Sequence, residues 1–382
     1  MKFLHLADLH LGKTVNEINM YPDQVYILEE ILNIVKEKQA DAVVIAGDVY
    51  DRSIPSEQAV SLLSSFLTRL ADAGVQVYMI SGNHDSDERL GFASTLLDAR
   101  GVHIAGVYAG EVRHDIFHDA YGDVHIWSLP FIKASRVAYY HPELPADTYD
   151  EAVRSALSLC SLDTAERNVL IAHQFVVGDS EPEIAGSETI TKESVGTVER
   201  VGADAFSAFD YTALGHIHRP QQVGQQTIRY AGSPLKYSLS EIGHSKSVPL
   251  VTLHQKGDVE IELIPLHPLR EMRHLKGPID VLLDPANITD KDDYLWVTLT
   301  DEETIPDAIS RIRGYYPNTM RLTYENSHTE AIRNYDFTVM QEKKDLRELV
   351  GDFSRMVTGE ELTEEEWQII RDCAKEAGYE AD

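Results

Sequence analysis

The chain has 382 residues, 43% of them apolar and 25% charged, with 63 acidic against 34 basic side chains and a net charge of −29 at pH 7. That length and composition hold one large globular domain with room for one or two small ones, and the acidity excludes a protein that grips nucleic acid through a general basic surface. No apolar run is long enough to span a bilayer, and the opening residues are too short for a signal peptide and lack a cleavage site. Cys160 and Cys373 lie far apart without metal-type spacing, so two free thiols in a cytoplasmic, reducing setting are the expectation.

Residues 2–6 read as a short strand that runs into Ala7-Asp8-Leu9-His10-Leu11-Gly12. In extended backbone Asp8 and His10 point the same way, which makes half of a metal site; alone, the pair is better explained as a polar turn. Val25, Leu28, Leu32 and Val35 predict a helix over 22–39. Residues 42–46 predict a buried strand ending in Gly47-Asp48-Val49-Tyr50-Asp51, and Val60, Leu63, Leu67 and Leu70 predict a helix opened by Pro55 and Ser56. A strand over 75–80 then ends in Gly82-Asn83-His84-Asp85. This is a βαβαβ layout with its loops along one edge, the edge where open α/β sheets bind ligands.

A shorter helix is expected over 92–100, then several strand-like pieces up to Trp127-Ser128-Leu129-Pro130. Residues 131–141, rich in Tyr, Lys and Arg but without periodicity, read as a loop, whether facing a substrate or not. A helix follows over 150–160. Strands over 168–172 and 211–214 deliver His173 and Gly215-His216-Ile217-His218. Ser233, Lys236 and Tyr237, in the turn-forming stretch 230–237, are candidate contacts near the same edge, and strands near 250–253 and 259–264 close the domain.

The proline-rich stretch 265–278 reads as a boundary. Beyond it, strand 294–299, helix 305–315 and strand 320–324 suffice for a small α/β unit, with 326–336 loop-like. Acidic runs at 300–303 and 360–366 read as solvated faces and helix starts. In the tail, Leu346, Leu349, Val350, Phe353 and Met356 form one apolar stripe that Gly359 ends. Thr363 with Glu366 fits a capping box and Leu362 with Trp367 a hydrophobic staple, opening a second helix with Trp367, Ile370, Cys373, Ala374 and Ala377 on one face. Packing on the chain's own body and docking on a partner explain these stripes about equally.

Collected, the strand ends supply Asp8, His10, Asp48, Asn83, His173, His216 and His218. A lone histidine is usually structural, but seven oxygen and nitrogen donors that each follow a predicted buried strand are hard to explain that way. With one bridging carboxylate and water they suit two divalent ions, and imidazole with carboxylate but no thiol favours manganese, iron or zinc over calcium. Two such ions clamp a phosphate and activate water for in-line displacement. His84 stands beside a ligand without needing to be one and is the candidate acid for the leaving oxygen. Asp51 and Asp85 either orient neighbouring imidazoles or are plain turn residues.

Asp8-x-His10, Gly47-Asp48-x-x-Asp51, Gly82-Asn83-His84-Asp85, His173 and Gly215-His216-x-His218 resemble, motif by motif, the calcineurin-like metallophosphoesterase family. Within that family, 6–12, 45–51, 80–85, 215–220 and above all 230–238 resemble a branch of bacterial nuclease subunits that work with a coiled-coil ATPase. The resemblance implies an α/β four-layer fold, two sheets flanked by helices, with two Mn²⁺ ions. It places Asp8, His10, Asp48 and His218 around one ion, Asp48, Asn83, His173 and His216 around the other, and His84 as the acid. It also implies a metallophosphoesterase domain over 1–265, a small α/β capping domain over 266–336, and a helical pair over 337–382 that binds the ATPase. The implied assembly is a homodimer within a heterotetramer. Its implied work is exonucleolytic cutting of double strands and endonucleolytic cutting of single strands and hairpins, in DNA repair, recombination and replication. Asp51 departs from the histidine that archaeal and eukaryotic relatives usually carry to assist the exonuclease reaction, which leaves the balance of the two activities open. A small-molecule phosphodiesterase or phosphatase on the same fold would need neither cap nor tail. A non-catalytic scaffold would be expected to have lost a ligand or His84, and all are in place.

Overall fold

In the computed structural model, which describes residues 1–186, 200–327, 329, 346–358 and 361–376, the chain divides into two units, Met1–Met272 and Arg273–Asp382. The first is built on two six-stranded sheets. One runs in the order Val259–Pro265, Ser247–Leu253, Lys2–Leu6, Ala42–Ala46, Gln76–Ile80, Val102–Ala105, and its last four strands are parallel. The other runs Gln221–Val223, Gln225–Tyr230, Tyr211–Gly215, Arg167–His173, Gly122–Leu129, Arg113–Asp119, again with a parallel centre.

The sequence dictates which faces meet. Ala42–Ala46 is buried at every position, as a central parallel strand covered on both faces must be. Phe3, Val44, Tyr78 and Ile80 of the first sheet pack on Val124, Ile126, Val169 and Ile171 of the second. Helices Tyr21–Lys38 and Glu57–Asp72 bury Ile27, Ile31, Leu63 and Phe66 on the first sheet's side. Behind the second sheet, Trp127, Leu129 and Leu170 meet Val137 of Ala134–Tyr140 and Val153 and Ala156 of Tyr149–Ser158. Helix, sheet, sheet, helix is the four-layer arrangement that the motifs imply.

Parallel strands put their carboxyl ends on one edge. Beyond that edge the chain stays tethered: Asp8 N–H donates to the Gly47 carbonyl at 3.0 Å, His10 N–H to Asp48 at 2.9 Å and Leu11 N–H to Val49 at 2.9 Å. Residues 8–11 and 47–49 are thus zipped together as they leave the sheet.

Three stretches differ from expectation. Residues 131–141 contain the helix Ala134–Tyr140; Val137 is its one buried residue, too little for a periodic signal. The helix over 92–100 is reduced to Ser94–Asp98, with a further turn at Asp87–Leu90. The boundary stretch 265–278 holds the strand Met272–Gly277, in which exposed His274 and Lys276 alternate with half-buried Arg273, Leu275 and Gly277.

The second unit has a sheet ordered Met272–Gly277, Tyr294–Leu299, Thr319–Tyr324, with Leu295, Val297, Leu299, Ile312 and Tyr316 in its core. Helices Leu346–Thr358 and Glu364–Glu376 form the tail. Thr363 and Glu366 make the capping box, with Glu366 N–H on Thr363 Oγ1 at 3.3 Å and Thr363 N–H on Glu366 Oε2 at 2.8 Å. Trp367 is buried, with the guanidinium groups of Arg347 and Arg371 5.4 and 5.8 Å from its ring. Gly359, Ala377, residues 337–345 and most of 326–336 lie outside the described residues, as does the side chain of Met356.

Candidate metal centre

All seven predicted donors converge at the shared strand edge, most of them buried. Asp8, His10 and His218 bring three ligand atoms within 4.8 Å of one another, as do Asp8, Asp48 and His173. His10 Nε2 and His218 Nε2 are 3.0 Å apart. Asn83 Oδ1 lies 3.0 Å from both His173 Nε2 and His216 Nδ1. Asp48 Oδ2 sits between the two groups, 3.7 Å from His10 Nε2 and 3.4 Å from His173 Nε2.

The backbone is bent to achieve this. Asp8, His10, Asp48 and His216 hold positive φ of 52°, 43°, 48° and 102°, a region that costs a non-glycine residue about 1 kcal/mol or more and concentrates at functional sites. Gly215 is required by space: an added Cβ would overlap the Ala46 carbonyl oxygen and approach His173 Nδ1 to 2.7 Å. That Ala46 oxygen accepts the His173 Nδ1–H at 2.8 Å, which leaves Nε2 as the ring nitrogen that faces the other donors.

His10 and His218 each have a carboxylate behind them. His10 Nδ1 lies 3.6 Å from Asp51 Oδ1, and Lys13 Nζ pairs with the same oxygen at 2.6 Å. His218 Nδ1 lies 3.5 Å from Glu241 Oε1, while Lys246 Nζ bonds Glu241 Oε2 at 2.6 Å, Ser233 Oγ at 2.8 Å and the His218 carbonyl at 2.8 Å. Of the two readings offered for Asp85, the geometry matches neither fully: its carboxylate accepts the N–H groups of Val49, Tyr50 and Gly82 at 3.1, 2.9 and 2.9 Å, with no imidazole hydrogen-bonded to it among the described residues. It fastens the 48–50 loop to the 82–85 loop. His84 Nδ1–H donates to the Asp51 carbonyl at 3.0 Å, with Nε2 4.0 Å from Asp48 Oδ2 and the side chain 21% exposed.

Electrostatics is that of a crowded site in a dry environment. Burial, with the nearby Asp48 charge, pushes the Asp8 carboxyl up to about 7 against the pull of His173 and His218. Burial also works to raise Asp48, but the imidazoles of His173, His10 and His84 hold it well below the usual carboxylate range. Burial would lower His173, yet Asp48 carries it up to about 9. Burial drives His10 well down and His216 to about 3.

These residues fit divalent ions. Asp8 Oδ2 is buried with no hydrogen-bond partner among the described residues, a costly state for a carboxylate oxygen. His10 Nδ1 likewise finds no hydrogen-bond partner among the described residues, 3.6 Å from Asp51 Oδ1, and the Nε2 atoms of His10 and His218 lie 3.0 Å apart, close enough for one cation to take both. Two carboxylates, an amide oxygen and four imidazoles without thiolate form a mixed nitrogen–oxygen set for a first-row divalent metal.

Sequence reasoning missed Glu241, Lys246 and Lys13, which lie outside the motifs and reach the site only through tertiary contact. Of the three residues singled out in 230–237, Ser233 joins the Lys246 network. Tyr237 donates to the Leu9 carbonyl at 2.6 Å with its ring 5.7 Å from that of His10. Lys236 instead pairs with Glu271 at 2.6 Å.

Strand-end carboxylates and imidazoles gathered around the buried Asp48 suit a metal-dependent phosphoester hydrolase. Residues 1–220 match the family model for calcineurin-like phosphoesterases, and the chain belongs to that family. Residues 268–355 match the model described as the type 5 capsule protein repressor C-terminal domain, SbcD_C; the two matches in this order support an SbcD-type subunit. Among solved structures, the chain is similar to a dimetal phosphatase from Danio rerio (12% identity, 70% of this chain and 98% of that one, TM-score 0.43). It is also similar to TT1561 of Thermus thermophilus (12%, 69% and 98%, TM-score 0.38) and to Yfce, a phosphoesterase from E. coli (14%, 70% and 100%, TM-score 0.28). These likenesses are distant, and the family assignment stands on the sequence match.

Proposed function

We propose that this phosphoester hydrolase is a DNA nuclease subunit that works with an SbcC-type ATPase, as a double-strand exonuclease and a single-strand and hairpin endonuclease. The observation that carries the chemistry is Asp48 Oδ2, placed between the Asp8–His10–His218 group and the Asn83–His173–His216 group. In this reading the first group and Asp48 hold one divalent ion, and Asp48 with the second group holds another, both most simply Mn²⁺. When bound, the pair supplies Lewis acidity toward a phosphate and a water of lowered pKa. The chain's own residues do the rest. Ala46 fixes the orientation of His173, Glu241 steadies His218, Asp51 stands 3.6 Å behind His10, and His84 aims Nε2 at the site. Because His84 Nδ1–H is committed to the Asp51 carbonyl, Nε2 can give a proton to the leaving oxygen only from the doubly protonated ring.

The nuclease reading is preferred to a small-molecule phosphatase because an SbcD_C-type region follows the phosphoesterase region. The proposed organisation is a nuclease domain over 1–265, a cap over 266–336 and a partner-binding helical pair over 337–382. Exposed apolar side chains on the tail support its docking role: Phe353 is 56% and Ile369 64% exposed. For a homodimer, the support is an apolar groove lined by Val60, Leu67 and Phe92, the last 80% exposed. No helix among the described residues is long and apolar enough to cross a membrane, and a cytoplasmic site of action is part of the proposal.

The test is cleavage of a 5′-labelled DNA hairpin with Mn²⁺, with and without the ATPase, beside turnover of bis-p-nitrophenyl phosphate. His84→Gln is expected to keep its metal by elemental analysis and to lose about 10²–10⁴-fold in rate, whereas Asp48→Ala loses both metal and activity. Metal loss in His84→Gln would overturn the division of roles. Turnover of the small ester with no DNA cutting under either condition would favour the phosphodiesterase.

A further inference from the structure

A cavity of about 670 Å³ opens beside Asn83 and is walled by the helix Ala134–Tyr140 and its lead-in. Lys133, Arg136 and Tyr140 stand at i, i+3 and i+7, so they share one side of that helix, with Tyr139 next to them. The wall is fixed relative to the metal centre. Phe131 N–H donates to the Ser81 carbonyl at 2.9 Å, two residues before Asn83, and the Phe131 ring lies 6.3 Å from that of His173. On the inner side of the helix, Val137 is fully buried.

What lines the cavity is unusual for so acidic a chain. Tyr139 is 77% and Tyr140 38% exposed, edge to face with ring centres 5.1 Å apart. Arg136 neutralises Asp87 at 2.9 Å, and the Asp85 carboxylate is turned into backbone N–H groups. Lys133 is exposed and makes no ion pair among the described residues. An exposed aromatic and an uncommitted cation lining one cleft that begins at a metal-centre residue are the combination that holds an unpaired nucleotide: a ring for the base and a charge for the phosphate. A stacked base in a duplex offers no free face to such a ring.

We propose that this cleft takes the unpaired nucleotide next to the scissile phosphate, with its base on Tyr139 and its phosphate on Lys133, and so selects single-stranded loops and frayed ends. The assignment rests on the nuclease reading and specifies its substrate.

The test compares two small esters on the full-length protein with Mn²⁺: thymidine 5′-(p-nitrophenyl) phosphate, which carries a base, and bis-p-nitrophenyl phosphate, which does not. The wild type is expected to prefer the nucleoside ester through KM. Tyr139→Ala, a surface change, is expected to raise KM for the nucleoside ester about tenfold more than for the base-free one, whereas Lys133→Gln should raise KM for both, since each carries the phosphate, with kcat changed much less in either case. No preference in the wild type, equal effects of Tyr139→Ala on both esters, or no effect of Lys133→Gln on either overturns the cleft assignment. Hairpin cleavage in parallel separates the two ideas: uncut hairpin with an intact nucleoside preference removes the nuclease reading, whereas cut hairpin without the preference removes only the cleft.

Discussion

In the first unit the buried polar residues face one another. Asp8, His10, Asp48, His173 and His218 are almost wholly inaccessible, several of them on left-handed backbone, and their side chains meet across loops from different strands. In the second unit the buried polar groups are answered locally. Thr298 Oγ1 meets His274 Nε2 and Thr323 Oγ1 at 2.8 Å each, Thr319 Oγ1 donates to the Tyr316 carbonyl three residues back, and apolar Leu295, Val297 and Leu299 fill the core. Positive φ there occurs at Asp290 and Asp307, a turn and a helix start. The contrast separates two uses of the same interior. In one, desolvated charge and strained backbone are kept at strand ends for chemistry; in the other, ordinary packing makes a platform.

The sharpest way to break this comparison is to relax the strained edge. Gly215→Ala forces a methyl group into the Ala46 carbonyl, in the central strand of the opposite sheet, and against His173. Neither neighbour is the tip of a flexible side chain. The expected cost is about 4 kcal/mol or more, seen as a large drop in melting temperature together with loss of bound metal. A near-normal melting curve would show that the two sheets can part at this point and that the close approach is not obligatory.

A milder change probes the support behind a single ligand. Glu241 is fully buried; burial works to raise its carboxyl, but His218 and Lys246 outweigh that and bring it from 4.5 to about 2. A folded pKa below the unfolded one means stabilisation that is complete above about pH 4.5, fades as pH falls, and is gone near pH 2. The full contribution is of order 3 kcal/mol. Glu241→Gln should therefore be less stable at neutral pH and lose less on acidification, in pH-dependent denaturant melts. Calorimetric titration should also show Mn²⁺ affinity lowered about 10–100-fold, the usual effect of removing a carboxylate behind a metal-binding histidine. Unchanged affinity with an unchanged acid limb would mean that His218 is held without Glu241.

How much of this was legible follows from where the information sits. Asp8, His10, Asp48, Asn83, His173, His216 and His218 are each announced by an apolar run and mostly by a glycine, because parallel strands must end and a ligand must follow at once. The opening βαβαβ layout could be read from the same punctuation and the four layers from the family resemblance, whereas the order of strands in each sheet could not. Glu241 and Lys246 could not: they meet His218 from beyond a turn, through contacts between side chains that no spacing encodes. The helix Ala134–Tyr140 was hidden because one buried valine sets no period, and the strand Met272–Gly277 because Arg273, His274 and Lys276 read as boundary residues. Asp85 was visible, but its use as an acceptor for three backbone N–H groups depends on two loops meeting.

The smallest expected effect lies in the second unit and tests its ordinariness. Gly351 sits inside the helix Leu346–Thr358, and a Cβ added there meets nothing within 4 Å. Unlike Gly215, it answers no close approach, and it leaves the helix with the conformational freedom that glycine keeps in the unfolded chain. Gly351→Ala should stabilise that helix by about 0.5–1 kcal/mol, read as slower proteolysis of the tail and a small gain in helical signal, with phosphoester turnover unaltered. If the alanine instead loosened the tail, the glycine would be serving a close contact, and the second unit would share the spatial constraint that marks the first.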